Sequence, residues 1–208
     1  MDRQRVPPST FIEAIRQHNV KWVRSHLLDT PEAANAPLLP NGVTPLMLAA
    51  KYGATSIMWR LRRAGAQPDA QARHGETALS MAAEFNQVLA LQALKRMGVD
   101  IRCDLGNGQC ALHAAARNNA TQAISWLVRH GIPVDQQDPE GNTPLHLAAR
   151  FGNLAAIRVL LELQGNPSIP NHKGMDAIDT AREAGQEVAS RLLERFILRH
   201  TESMEAAP

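Results

Sequence analysis

Cys103, Cys110 and His113 are the residues whose types most readily suggest chemistry, and what they would build is a thiolate–imidazole metal site. Their spacing matches no zinc pattern, because the two Cys stand seven apart with no second close pair. His113 and His146 invite a general acid–base reading, yet the carboxylates are scattered and offer no pair to divide into acid and base. No Gly-x-Ser-x-Gly, no phosphate-cradling glycine loop and no His-Glu-x-x-His occurs. No catalytic residue and no metal ligand is therefore assigned, and neither a cofactor nor a small-molecule substrate is expected. The two Cys read as small buried hydrophobes, and the two His as structural groups with satisfied hydrogen bonds.

Composition bounds the remaining classes. The chain has 208 residues, 44% of them hydrophobic, with few aromatics (4%) and abundant Ala and Leu. That balance suits close-packed short helices better than a β-sandwich. A net charge of +2 gives nucleic-acid binding little help, since such proteins usually show a stronger basic surplus. No apolar stretch approaches the roughly 20 residues of a membrane span, and two prolines interrupt the N-terminal region where a signal peptide would need its apolar segment. Two cysteines are too few for a disulfide framework, so a reducing, cytoplasmic location is expected. Of 22 basic residues 18 are Arg, a usage that leans towards a bacterial source.

The elements that must position these residues follow from an internal period. Gly42, Gly75, Gly108, Gly141 and Gly174 are spaced by 33 residues each time, a coincidence of about 10⁻⁵ probability by chance. Four residues after each comes Leu46, Leu79, Leu112, Leu145 or Ile178. The pairs Ala49-Ala50, Ala82-Ala83, Ala115-Ala116 and Ala148-Ala149 follow, then Leu61, Leu94, Leu127 and Leu160. The best-formed unit starts at Gly141. There Thr143 is an N-cap and Pro144 fits the first helical position. Leu145, Ala148 and Ala149 share one helical face, small Ala permitting close helix contact. Gly152 ends the first helix with a left-handed residue, and a second helix turns Ile157, Leu160 and Leu161 inward. The stretch from Asn166 to Asn171, rich in Pro and Asn, cannot continue it.

The 33-residue unit with its Thr143-Pro144-Leu145-His146 opening resembles the ankyrin repeat over residues 42–196. The resemblance implies an all-α solenoid of paired antiparallel helices with β-hairpin loops, about six units in a single domain over residues 1–200. Units 42–74, 75–107, 108–140 and 141–173 are full repeats. Residues 10–41 and 174–200 read as degenerate caps, and 201–208 as a flexible tail. His113 and His146 fall in the family's His column, which implies a hydrogen bond joining neighbouring loops. Departures occur at Cys110, in the Thr column, and at Gln164, where the family usually has the helix-ending Gly.

By the same resemblance the function is protein binding through a concave groove, without catalysis. The groove is lined by the hairpin tips and the exposed end of each first helix. One column there holds Tyr52, Phe85, Asn118 and Phe151, and its neighbour holds Lys51, Glu84, Arg117 and Arg150. Arg73, His74, Glu76, Gln109, Glu140 and Asn142 decorate the tips. Exposed aromatics ringed by polar groups are what interface hot spots look like. An alternative contact is a convex patch of Trp59, Arg60, Arg62 and Arg63. The partner is another protein, either one regulated or neutralised in the same bacterial cell, as a toxin by its immunity protein, or a host protein met by a secreted effector. Nucleic-acid binding through convex Arg-rich helices is a weaker alternative.

Overall fold

Short helices joined by left-handed residues account for nearly all of the regular structure. The computed structural model describes residues 10–102 and 109–205, so Cys103 and Gly108 lie outside the described residues. The chain divides into two compact units, Met1–Ile101 and Arg102–Pro208.

Among the described residues of the first unit the helices are α1 (Phe11–Arg16), α2 (Val20–Asp29), α3 (Pro45–Lys51), α4 (Thr55–Arg63), α5 (Ala78–Glu84) and α6 (Val88–Arg96), with a 3₁₀ turn at Pro31–Ala34. The second unit holds α7 (Ala111–Arg117), α8 (Thr121–Arg129), α9 (Pro144–Arg150), α10 (Leu154–Glu162), α11 (Ala177–Glu183) and α12 (Glu187–Glu205). Each repeat pairs a short first helix with a longer second helix. Within each unit first helices pack on first helices and second on second: α3 lies between α1 and α5, and α10 between α8 and α12.

The core is the periodic column read from the sequence. Leu46, Leu79, Leu112 and Leu145 are buried, as are the paired alanines and Leu61, Leu94, Leu127 and Leu160. Ala at the helix contacts removes side-chain bulk, so backbones approach closely, while each buried Leu contributes roughly 1.5–3 kcal/mol. Because no repeat can bury this face alone, neighbouring repeats supply each other's core. The degenerate first repeat adds an aromatic cluster of its own. Trp22 and His26 stack with ring centroids 4.8 Å apart, and Phe11 meets them tilted and edge-on at 5.9 and 5.1 Å.

Helix starts follow the expected chemistry. Thr44 and Thr77 hold extended backbone, and their hydroxyls accept from the N–H groups of Met47 and Ser80 at 3.4 and 3.1 Å. The loops differ from full hairpins. Among the described residues no β-strand forms, and each tip is reduced to its turn, as where the Asp138 N–H donates to the Asn142 carbonyl at 2.9 Å. Gly141 is required at one such tip, since its φ is +78° and a Cβ would stand 2.7 Å from the His172 backbone nitrogen. The last helix, α12, runs to Glu205, five residues into the segment expected as a tail. Thr201–Glu205 contains no Gly or Pro to stop it.

Gln164 occupies the left-handed position after α10, with φ +68°. A side chain there carries a steric cost that Gly avoids. Gln164→Gly is expected to stabilise the protein by roughly 0.5–1 kcal/mol, the left-handed cost of about 1–2 kcal/mol less the entropic cost of Gly, read as a higher midpoint in urea denaturation. Gln164→Ala, which keeps a Cβ, is expected to give no such gain.

Candidate functional site

The tips are built from buried polar groups that join one repeat to the next. In the second unit the ring of His146 is fully buried. Its Nδ1 accepts the backbone N–H of Thr143 at 3.1 Å and lies 2.9 Å from the Thr143 hydroxyl. Since that nitrogen accepts, Nε2 carries the proton and donates to the Met175 carbonyl in the following repeat, 3.0 Å away. His113 repeats the device: Nδ1 accepts from the Cys110 N–H at 3.2 Å, and Nε2 donates to the Asn142 carbonyl at 3.1 Å. Both His thus act as the resemblance implies. The Cys110 sulfur lies 3.2 Å from His113 Nδ1, where Thr143 has its oxygen.

A second device was missed in the sequence. Asp138, only 5% exposed, accepts the N–H groups of Glu140 and Asn142 at 3.1 and 2.8 Å, and the side-chain amide of Gln109 at 3.4 Å. Asn171 does the same one repeat later, accepting from Lys173 and Met175 and donating to Asn142 Oδ1 at 3.0 Å. The legible signal was an Asp or Asn three residues before Gly141 and before Gly174, a spacing suited to an Asx turn.

These bonds sort the candidate binding residues. Gln109 and Asn142 spend their side-chain amides inside the tips. Glu76 turns back to accept the His74 N–H at 3.2 Å. Arg73 and His74 are exposed, and the Arg73 N–H donates to the Asn41 carbonyl of the adjoining tip at 2.8 Å. Glu140 is exposed, its carbonyl accepting from the His172 N–H at 3.0 Å.

The first-helix ends present the aromatic column. In the first unit Phe85 is 41% exposed and Tyr52 half-buried. The ammonium of Lys51 sits 4.4 Å from the Phe85 ring centroid and 5.9 Å from that of Tyr52. One cation thus lies within cation–π range of both rings, which fixes an amphipathic patch beside half-buried Glu84. In the second unit Phe151 is 51% exposed. Arg150 and Arg117 are also exposed, and Asn118 turns its amide back onto the Ala114 carbonyl at 3.0 Å. No ion pair engages either arginine among the described residues. Of the alternative patch, Trp59, Arg62 and Arg63 are exposed and Arg60 half-buried. Among the described residues no group of three or more His, Cys, Asp or Glu is placed to hold a metal ion, and no helix is long and apolar enough to cross a membrane.

Paired helices, capped starts and polar tips define a helical repeat solenoid. The family model for ankyrin repeats (three copies) matches residues 11–104, 79–171 and 131–202, and the chain belongs to the ankyrin repeat family. A comparison with curated proteins finds no match. Proteins of this family are generally non-catalytic modules that bind other proteins, and the chain is a protein–protein interaction module in that sense.

Burial holds the imidazoles of His113 and His146 below the ordinary histidine pKa of 6.5, outweighing the raising effect of their carbonyl partners. As pH falls below about 6.5 the unfolded chain takes up these protons first, so acid favours unfolding. Stability is expected to be full above that pH. It should fall on acidification by up to about 1.4 kcal/mol per pH unit for each His until the folded-state value is passed. Urea midpoints measured between neutral pH and mild acid test this. His146→Gln should lower stability at neutral pH and flatten the slope, whereas an equal slope in the variant would contradict the assignment.

Proposed function

We propose that the first-helix ends of the two units bind a partner protein, with Tyr52 and Phe85 as anchors in one and Phe151 in the other. The observation that carries this reading is the exposure of Phe85 and Phe151 at the same repeat position. The core has no use for a ring there, and aromatic side chains with arginine dominate binding energy at interfaces. Lys51, Arg117 and Arg150 give these faces a basic bias that favours carboxylates on the partner, with Glu84 supplying the opposite sign. Arg73, His74 and Glu140 at the tips extend the contact. In the second unit the tip bonds support the reading for Phe151, because an anchor on a pre-organised backbone loses little entropy on binding.

The role that best fits such a module is regulation or neutralisation of another protein in the cytoplasm of a bacterial cell, in the manner of an immunity protein. The Arg-rich composition supports the source. An exported effector acting on a host protein is the second reading.

Capture from a lysate of the source cell tests the site. The wild type is expected to hold a specific protein that Tyr52→Ala/Phe85→Ala/Phe151→Ala releases. Each lost anchor costs about 2 kcal/mol, roughly thirtyfold in affinity. A folded variant that retains the partner undiminished would move the site elsewhere.

A further inference from the structure

The second helices of the first unit carry charge that the near-neutral composition hides. α2, α4 and α6 hold seven Lys and Arg and a single carboxylate, Asp29, whereas the rest of that unit holds five cations and seven carboxylates. The inward positions of these helices are taken by Val23, Leu27, Ile57, Met58, Leu61, Leu91 and Leu94, so the cations lie to the outside. None of the seven has an ion pair among the described residues. Large apolar side chains share these helices' outer faces: Leu28 is 72% exposed, Leu89 67% and Trp59 38%.

Charge and apolar surface converge between α2 and α4. A cleft of about 260 Å³ there is lined by apolar Leu27, Leu28 and Pro31 together with Arg24, Arg60 and Arg63. A nucleic-acid backbone would use the arginines and leave the apolar lining exposed. A peptide with carboxylates around one apolar side chain uses both, and guanidinium forks match carboxylates in geometry as well as charge. Truncated apolar contact and unpaired cations are then removed together.

We infer that the α2–α4 cleft is a second docking site, separate from the first-helix ends, for an acidic peptide segment of a partner protein. A Leu or aromatic side chain of that segment rests on Leu27, Leu28 and Pro31, and its flanking Asp or Glu side chains pair with Arg24, Arg60 and Arg63. Trp59, one turn before Arg63 on α4, extends the apolar surface beside the cleft.

A random peptide library panned on the full chain tests this. Peptides selected by the wild type are expected to be enriched in Asp and Glu around one Leu, Phe or Trp, and to bind more weakly as salt is raised. Their affinity should fall about tenfold or more in Arg24→Glu/Arg60→Glu/Arg63→Glu, where exposed charge pairs are reversed, and about threefold or more in Leu28→Ser. Circular dichroism and melting of the variants establish that the fold is kept. Failure to select any peptide, selection without an acidic bias, or equal affinity for the charge-reversed variant would each overturn the proposal. Oligothymidylate bound more tightly than the selected peptides, and lost in the same variant, would also overturn it by assigning the surface to nucleic acid.

Discussion

Much of the second unit depends on one buried imidazole that faces two ways. His146 closes the start of its own helix through Nδ1 and reaches the next repeat's backbone through Nε2. A backbone carbonyl buried beneath a tip must find a donor or cost the fold its desolvation energy. The His side chain meets that demand across repeats, which no local cap does. Its neutrality follows from the same geometry: one nitrogen accepts, the other donates, and burial opposes a second proton.

The first unit shows what changes when that residue is different. Met47 and Ser80 occupy the positions of His113 and His146 and bond only within their own cap: each accepts the N–H of Thr44 or Thr77, and the Ser80 hydroxyl donates to the Thr77 carbonyl. Neither side chain is long enough, with a donor at its far end, to reach a neighbouring tip. Ala72 has no side-chain acceptor of the kind Asp138 and Asn171 provide, and at that turn only the Glu76 carboxylate takes a tip N–H, that of His74. Tip-to-tip connection there falls to backbone bonds, as between Arg73 and Asn41. The same repeat thus supports two levels of side-chain locking, while the apolar column beneath it stays constant. Stability from burial is separable from the polar bonds that hold the tips.

How much of this was legible depended on whether a residue's role is periodic. The leucine and alanine columns, the Thr caps and the helix-ending Gly152 are periodic, because each repeat must solve the same packing problem with its neighbour. The role of His113 and His146 came with the family resemblance. Asp138 and Asn171 escaped notice because Asx turns at exposed-looking tips read as solvated polarity until burial is known. The placement of Lys51 over Phe85 is a rotamer choice between two side chains in adjacent repeats, and no spacing rule encodes it. Of the candidate site, the aromatic column was legible as exposed, but the inward use of Gln109 and Asn142 was not. The length of α12 was missed for want of a stop signal, where the absence of Gly and Pro through Glu205 was itself the clue.

The bridging imidazole is the feature most open to direct observation. Long-range proton–nitrogen correlation spectra of the ring nitrogens at neutral pH report tautomer and charge for each His. His113 and His146 are expected to appear as neutral rings protonated at Nε2, with Nδ1 as the acceptor. Protonation at Nδ1 alone would break both hydrogen bonds, and a doubly protonated ring at neutral pH would break the one at Nδ1; either result would contradict the bridging role.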